Sequence, residues 1–150
     1  MELKKLMVDS KSAWIDFPGL EGFEIEVVNL SRKELTGIRK RCTTNKFDRK
    51  TRQLTESLDE EKFVEEFADK SIKNWRGLKL EFLETLLLVD TGDEDLSKEL
   101  EYSKDNAETL VTNSNEFDTW LNEVVFDLDN FRRKSERKNN RKTGKAVPKS

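Results

Sequence analysis

One stretch of strictly alternating residues constrains the fold of this chain more than any other feature. The apolar side chains of Phe23, Ile25 and Val27 fall on one face of an extended strand, and glutamates fall on the other. A strand of this kind has one buried and one solvated face, as in an antiparallel sheet. A second alternating stretch, residues 13–17, ends at a Pro-Gly turn signal. The sequence therefore predicts an N-terminal β-hairpin, which could belong to a small antiparallel sheet.

From Ser31 onward the apolar residues follow the helical period instead. Two capping-box patterns, beginning at Ser31 and Ser57, each predict the start of a helix. Ser103 and Ser114 predict the starts of two further helices, since serine accepts a hydrogen bond from the first free amides. Residues 78–89 are strongly apolar and predict one more helix, the most buried of the set.

Trp75 and Gly77 lie between an acidic amphipathic stretch and that apolar stretch. Glycine adopts the left-handed backbone conformation at no Cβ cost, which suits the residue that ends a helix. We therefore expect the helix that starts near Ser57 to end at this joint. Trp75 is expected to be a buried anchor beside a chain reversal, because large aromatic side chains dominate the burial of apolar area.

A polar stretch between the first two helices predicts a short exposed hairpin, because β-favouring residues flank its turn. The turn region carries four basic residues: Lys46, Arg49, Lys50 and Arg52. They could contact an acidic partner. A solvated turn is the simpler interpretation and is favoured here.

Charged residues make up 39% of the chain and hydrophobic residues 34%, so the core is expected to be small. Residues 132–150 contain nine basic residues and one acidic residue, which leaves 19 basic and 30 acidic residues in 1–131. The last segment has no apolar periodicity and cannot offset its ordering entropy. The sequence thus predicts an α+β fold with one domain over 1–131, in which the hairpin packs with a mostly helical C-terminal half, and a disordered basic tail over 132–150.

Several classes of function are disfavoured by composition. The chain has no histidine, which removes imidazole bases, catalytic triads and most zinc sites. Cys42 lies on the core-facing stripe of the first helix and is expected to be an inert thiol. Residues 90–101 fail the calcium-loop pattern because Asp95 takes the place of the required glycine. We expect a non-enzymatic protein without metal or cofactor.

A single cysteine cannot form an intramolecular disulfide, which fits a reducing compartment. The first eight residues lack the apolar run of a signal peptide. The longest apolar run, residues 86–89, is far too short to span a bilayer. These features predict a soluble intracellular protein that does not contact a membrane.

Short motifs in the first strands, the joint and the last two helices occur in a characteristic order. They are Asp16–Ile25, Leu30–Arg32, Lys46–Asp48, Trp75–Lys79, Glu101–Ser103 with Asn106 and Ala107, and Asn113–Trp120. Together they resemble the tail assembly chaperones of long-tailed, siphovirus-like bacteriophages. The likeness covers about residues 13–131, and its motifs are structural rather than catalytic.

The resemblance implies a function in virion assembly. Chaperones of this family bind the long, aggregation-prone tape measure protein, keep it soluble and promote polymerisation of the tail tube around it. They act in the host cell cytoplasm and are not expected in the mature virion. Many are made in two forms through a programmed ribosomal frameshift, so the tail-tube protein and a longer form of this chain are further implied partners.

Two other functions stay open from the sequence. One is a structural or completion protein of the virion, and the other is an accessory nucleic-acid-binding protein that acts through the basic tail. Nucleic acid is the less expected partner, because the tail has no aromatic residue for base stacking and the rest of the chain is acidic.

The candidate partner-binding residues are apolar ones that a small core could leave uncovered, together with the first basic residues of the tail. They are Trp75, Leu78, Phe117, Trp120, Val124, Arg132, Arg133, Lys134, Arg137 and Lys138. The tape measure protein is largely helical in the family, which implies binding through an apolar face or groove. For the five apolar residues, a role in the core is the favoured alternative.

Overall fold

A computed structural model describes residues 1–8 and 10–132. Its elements are α1 (Leu3–Leu6), β1 (Ser12–Asp16), β2 (Glu24–Val28), α2 (Arg32–Arg41), β3 (Thr43–Asp48), β4 (Gln53–Leu58), α3 (Glu60–Ser71), β5 (Ile72–Arg76), α4 (Leu80–Leu86), α5 (Lys104–Asn113), α6 (Asn115–Phe126) and a 3₁₀ turn (Leu128–Asn130). The predicted α+β class, with an N-terminal hairpin and a helical C-terminal half, is confirmed.

The N-terminal hairpin belongs to a three-stranded antiparallel sheet in the order β1-β2-β5. Ile25 of β2 lies opposite Ile15 on one side and Trp75 on the other. Phe23, Ile25 and Val27 are fully buried, whereas the glutamates between them are partly exposed. The alternation along β2 therefore identified the buried face of the central strand correctly.

The small antiparallel sheet was left open by the sequence, but the residues that form its third strand were not predicted. Residues 72–76 were assigned to the end of a helix, but α3 ends at Ser71 and the chain continues directly as β5. Ile72 extends the apolar stripe of α3, so the pattern alone gives no sign of the change. Pairing with the open edge of β2 decides the conformation, because it satisfies backbone groups that would otherwise lack partners.

Trp75 is the buried anchor that the sequence predicted. Its indole N–H donates a hydrogen bond of 2.9 Å to the backbone carbonyl of Leu100. Its ring meets Tyr102 edge-on at 5.3 Å between centroids and Phe23 at 6.4 Å. The side chain therefore connects the sheet to the segment that leads into α5.

Gly77 adopts the left-handed conformation, with φ +76°, and ends β5 rather than a helix. A Cβ at this position would lie 2.0 Å from the carbonyl oxygen of Gly22 in the β1–β2 loop. The left-handed glycine was predicted, but its contact with the hairpin loop was not. This close approach holds the end of β5 against that loop.

The helix starts follow their serine caps with one exception. The capping box at Ser31 is complete, and Ser103 and Ser114 cap α5 and α6 as predicted. The helix start predicted at Ser57 is wrong, because β4 continues through this residue. Asp59 caps α3 instead, accepting a hydrogen bond of 3.1 Å from the amide of Lys62.

Two helices are shorter than expected. The helix predicted over 78–89 is confined to α4, and Leu88 beyond it is fully exposed, so it is not the most buried element. The chain that follows returns along the start of this helix, where the amide of Leu80 donates to the carbonyl of Lys98 at 2.8 Å. The apolar period that begins after Ser114 continues to Phe131 and predicts a helix to that residue, but α6 ends at Phe126. The side chain of Asn130 donates to the carbonyl of Val124 at 3.0 Å.

The described elements pack around one apolar cluster, at whose centre four aromatic rings meet. The Phe17 ring lies 5.8 Å from Phe117 and 5.1 Å from Trp120, and Phe117 lies 6.3 Å from Phe23. The β1–β2 loop, which carries Phe17 and Phe23, thus packs its largest side chains against those of α6. Within residues 1–8 and 10–132, none of the helices is long and apolar enough to cross a membrane.

A pair of glycine substitutions tests the Gly77–Gly22 contact. Gly77→Ala should lower the free energy of unfolding by about 3 kcal/mol or more, because it combines left-handed strain with a backbone clash. Gly92→Ala is the matched control, since Gly92 has φ +57° but open space around a Cβ. It should cost about 1 kcal/mol. Urea unfolding of both variants gives the difference, and equal losses would show that the close approach contributes nothing.

Candidate partner-binding surfaces

Four of the five apolar residues nominated from the sequence lie in the core. Trp75 is 4% exposed, Leu78 and Phe117 are 0% exposed, and Trp120 is 9% exposed. Val124 alone among the five is partly exposed. These four side chains are therefore core residues, which was the favoured alternative. Their role as partner contacts stays a prediction. A partner could contact them only after the core had opened.

An exposed apolar surface lies at the C-terminal end of α6. Phe63 and Phe67 of α3 stack at 6.1 Å, and Phe67 stacks on Phe126 of α6 at 6.2 Å. The middle ring is buried, whereas Phe63 is partly exposed and Phe126 is 40% exposed. Leu128, in the turn after α6, is 53% exposed. We call Phe63, Phe126 and Leu128 the α6 edge.

The α6 edge lies where the basic tail begins. Arg132, the last described residue, pairs with Asp129 at 2.6 Å between Nη1 and Oδ1. Arg133, Lys134, Arg137 and Lys138 lie outside the described residues, as does the rest of the segment expected to be disordered.

The sequence contained a signal for this edge that was not used. Phe126 lies half a turn away from the apolar stripe on which Phe117 and Val124 fall, so a core that buries this stripe would not cover it. Leu128 continues the stripe. It is exposed because α6 ends two residues before it.

The predicted exposed hairpin is formed by β3 and β4, which pair with each other as a separate two-stranded sheet. At its base Leu58 packs against the core. Farther out on the same face, Phe47 lies opposite Leu54, and these side chains are 60% and 71% exposed. One face of the hairpin is therefore covered by the core at its base and uncovered beyond it.

The turn of this hairpin is basic and locally ordered. Asp48 accepts a hydrogen bond of 2.8 Å from the amide of Lys50, and its carbonyl accepts one of 2.6 Å from the amide of Arg52. Lys46, Arg49, Lys50 and Arg52 are exposed, and none of them forms an ion pair with another described residue. We call this hairpin, residues 43–58, the basic arm.

An acidic groove with a volume of about 530 Å³ lies between α3 and α5. The carboxylates that line it are Glu60, Glu61, Glu65, Glu108 and Asp118. Its apolar lining includes Val64, which is partly buried, and Val111, which is 3% exposed. The groove thus combines a valine floor with a rim of negative charge.

Crowding of carboxyl groups beside the groove favours a bound proton. A hydrogen bond with Asp69, followed by burial and by the charges of Asp69 and Glu65, raises the pKa of Glu108 to about 7. Asp69 Oδ2 pairs with Lys104 Nζ at 3.3 Å, while Oδ1 is buried without another hydrogen-bond partner among the described residues. A proton on Glu108 supplies the donor that this oxygen needs.

Cys42 is buried, and its thiol donates to Glu66 Oε2 at 3.5 Å. Burial, with the hydrogen bond to Glu66, raises the pKa of this thiol. The thiolate is the nucleophilic form, so this environment favours the unreactive form that the sequence predicted. In the part of the chain that is described, no group of three or more His, Cys, Asp or Glu side chains is placed to hold a metal ion.

The pKa of Glu108 predicts a pH dependence of stability. Because its folded pKa exceeds the usual value for glutamate, the native state keeps a proton that the unfolded chain releases between about pH 4.3 and 7. The free energy of unfolding should therefore fall as pH rises through this range. Glu108→Gln should flatten the slope and stabilise the protein at pH 8 by roughly 1 kcal/mol, since Glu108 is partly exposed.

Urea unfolding at several pH values measures this effect. Glu123→Gln, at an exposed position of α6, is the control and should keep the wild-type slope. An unchanged slope in Glu108→Gln would contradict the assignment of the proton to this pair.

No protein-family model, curated protein or solved structure matches this chain.

Proposed function

We propose that this chain is a tail assembly chaperone of a long-tailed bacteriophage. It binds the tape measure protein, keeps it soluble and promotes tail-tube polymerisation around it. The observation that carries the proposal is the α6 edge, an uncovered apolar surface that adjoins the basic tail. The order of the family-like motifs along residues 13–131 supports it.

The α6 edge suits an apolar face of a helix. Phe63 and Phe126 both stack on buried Phe67, at 6.1 and 6.2 Å between centroids, so the two more exposed rings are held by a core residue. Apolar side chains along one face of a client helix can contact the surface that Phe63 and Phe126 present.

The charge distribution suits a chaperone that keeps its client soluble. Residues 1–131 carry 30 acidic and 19 basic residues, so a client coated with this domain acquires a negative surface. Net charge of one sign opposes aggregation through mutual repulsion. Binding through one apolar edge, with charge elsewhere, therefore separates the contact with the client from the solubilising surface.

The proposed role requires no covalent chemistry, so the protein is proposed to be non-enzymatic. It acts in the cytoplasm of the infected host and leaves before the virion is complete. The tail-tube protein is a second proposed partner, and a longer frameshifted form of this chain is a third.

Co-expression with the tape measure protein tests the proposal. The wild-type chain should raise the soluble fraction of the tape measure protein, and Phe126→Ser with Leu128→Ser should reduce that gain several-fold, because serine removes the apolar contact. Leu88→Ser is the matched control, since Leu88 is apolar and fully exposed but lies outside the α6 edge. Thermal unfolding of each variant shows that the fold is retained.

A tape measure protein that stays equally insoluble with the wild-type chain, with no complex recovered, would contradict the proposal. Mass spectrometry of purified particles then separates it from the structural alternative. A chaperone should be absent or sub-stoichiometric in the particle, whereas a full complement of copies would identify a structural or completion protein of the virion.

A further inference from the structure

We infer that the basic arm of one copy docks in the acidic groove of a second copy, so that the chain self-associates through reciprocal contacts. The inference concerns contacts between copies of this chain and does not depend on the identity of the client. It follows from three properties of the described residues: an uncovered apolar face, an unpaired cluster of positive charge and a groove of matching chemistry.

The arm lacks the cover that a two-stranded hairpin needs. An isolated pair of strands is marginally stable in water and gains stability when an apolar face packs against another surface. The core covers this face at Leu58 but leaves the cross-strand pair Phe47 and Leu54 exposed. The apolar face therefore extends beyond what its own chain covers.

The charges of the arm select the kind of surface that can cover it. Arg49 and Lys50 lie in the turn, close to the apolar pair, and form no ion pair within the described part of the chain. A complementary surface therefore needs an apolar floor for Phe47 and Leu54 and carboxylates around it.

The acidic groove has this combination. Its floor includes Val64 and Val111, and its rim includes the exposed side chains of Glu61 and Glu65. The groove, with a volume of about 530 Å³, is open to solvent along its length, so the side chains of an arm can enter it from outside. Arm cations would also relieve the mutual repulsion of the carboxylates.

The structure favours docking of the arm in a second copy over docking within its own chain. In the described structure Phe47 and Leu54 are exposed, so the arm does not occupy the groove of its own chain. Each copy carries one arm and one groove. In a dimer with a two-fold axis, the arm of each copy can therefore dock in the groove of the other. The adjacent negative charge disfavours nucleic acid as the occupant, because it repels phosphates.

A charge-swap experiment on the full-length chain tests the inference. The arm variant carries Arg49→Glu and Lys50→Glu, and the groove variant carries Glu61→Lys and Glu65→Lys. All four positions are exposed, so the fold should be retained, which circular dichroism checks. Lys33→Glu with Lys40→Glu, on exposed positions of α2, changes the net charge as much as the arm variant and serves as its control.

Analytical ultracentrifugation should show dimers of the wild-type chain that dissociate as salt is raised, because salt screens exposed charge pairs. Each variant alone should dimerise at least tenfold more weakly, and the control should match the wild type. An equimolar mixture of the two variants should restore a dimer with one copy of each. In that mixed pair both contacts join opposite charges, whereas each variant paired with itself joins like charges.

Three results would overturn the inference. They are a wild-type chain that is monomeric at every concentration, dimerisation of the arm variant and the groove variant at wild-type strength, and a mixture of the two variants that stays monomeric. If the basic tail rather than the arm occupied the groove, the arm variant would dimerise as strongly as the wild-type chain. Fluorescence anisotropy with single-stranded and duplex oligonucleotides completes the test. A monomeric chain whose arm binds nucleic acid would replace the inference with a nucleic-acid contact.

Discussion

The close approach of Gly77 to Gly22 is the contact on which the rest of the structure depends. A Cβ on Gly77 would overlap the carbonyl of Gly22, so this approach is open to glycine alone among the amino acids. It sets the end of β5 beside the hairpin loop and thereby places Trp75 against Phe23. Through its hydrogen bond to the carbonyl of Leu100, Trp75 then fixes the path of the chain into α5.

A small core explains what this arrangement leaves uncovered. The large aromatic side chains of the hairpin, β5 and α6 are used at the centre, where they bury the most apolar area. Little apolar area is left to cover the periphery, so the α6 edge and the outer part of the basic arm are exposed. Leu3, Leu6, Met7, Val8 and Leu88 are exposed as well, but among the described residues these two patches are the ones that contain an exposed aromatic ring, Phe126 or Phe47. We connect one with the client and the other with a second copy.

Local signals predicted local structure well. The alternation in β2, the serine caps of α2, α5 and α6, and the hairpin of the basic arm depend on neighbouring residues and were all identified. Long-range contacts explain what the sequence missed: β5 is a strand because β2 offers an open edge, and the first amides of α4 pair with the carbonyls of Leu96 and Lys98. The same limit applies to the candidate site. Apolar periodicity identified Phe117 and Trp120, but it cannot distinguish a core residue from a binding residue.

Hydrogen–deuterium exchange of the chain, alone and bound to the tape measure protein, is the most direct test of the proposed client surface. Backbone amides covered by a partner exchange more slowly, so exchange reports which residues the client covers. Slower exchange is expected in peptides that cover 120–132, and unchanged exchange is expected in peptides that cover 86–96. Peptides that cover 60–67 contain both Phe63 and the groove residues Glu61 and Glu65, so those that cover 120–132 are decisive. A stable complex in which exchange over 120–132 is unchanged would contradict binding at the α6 edge.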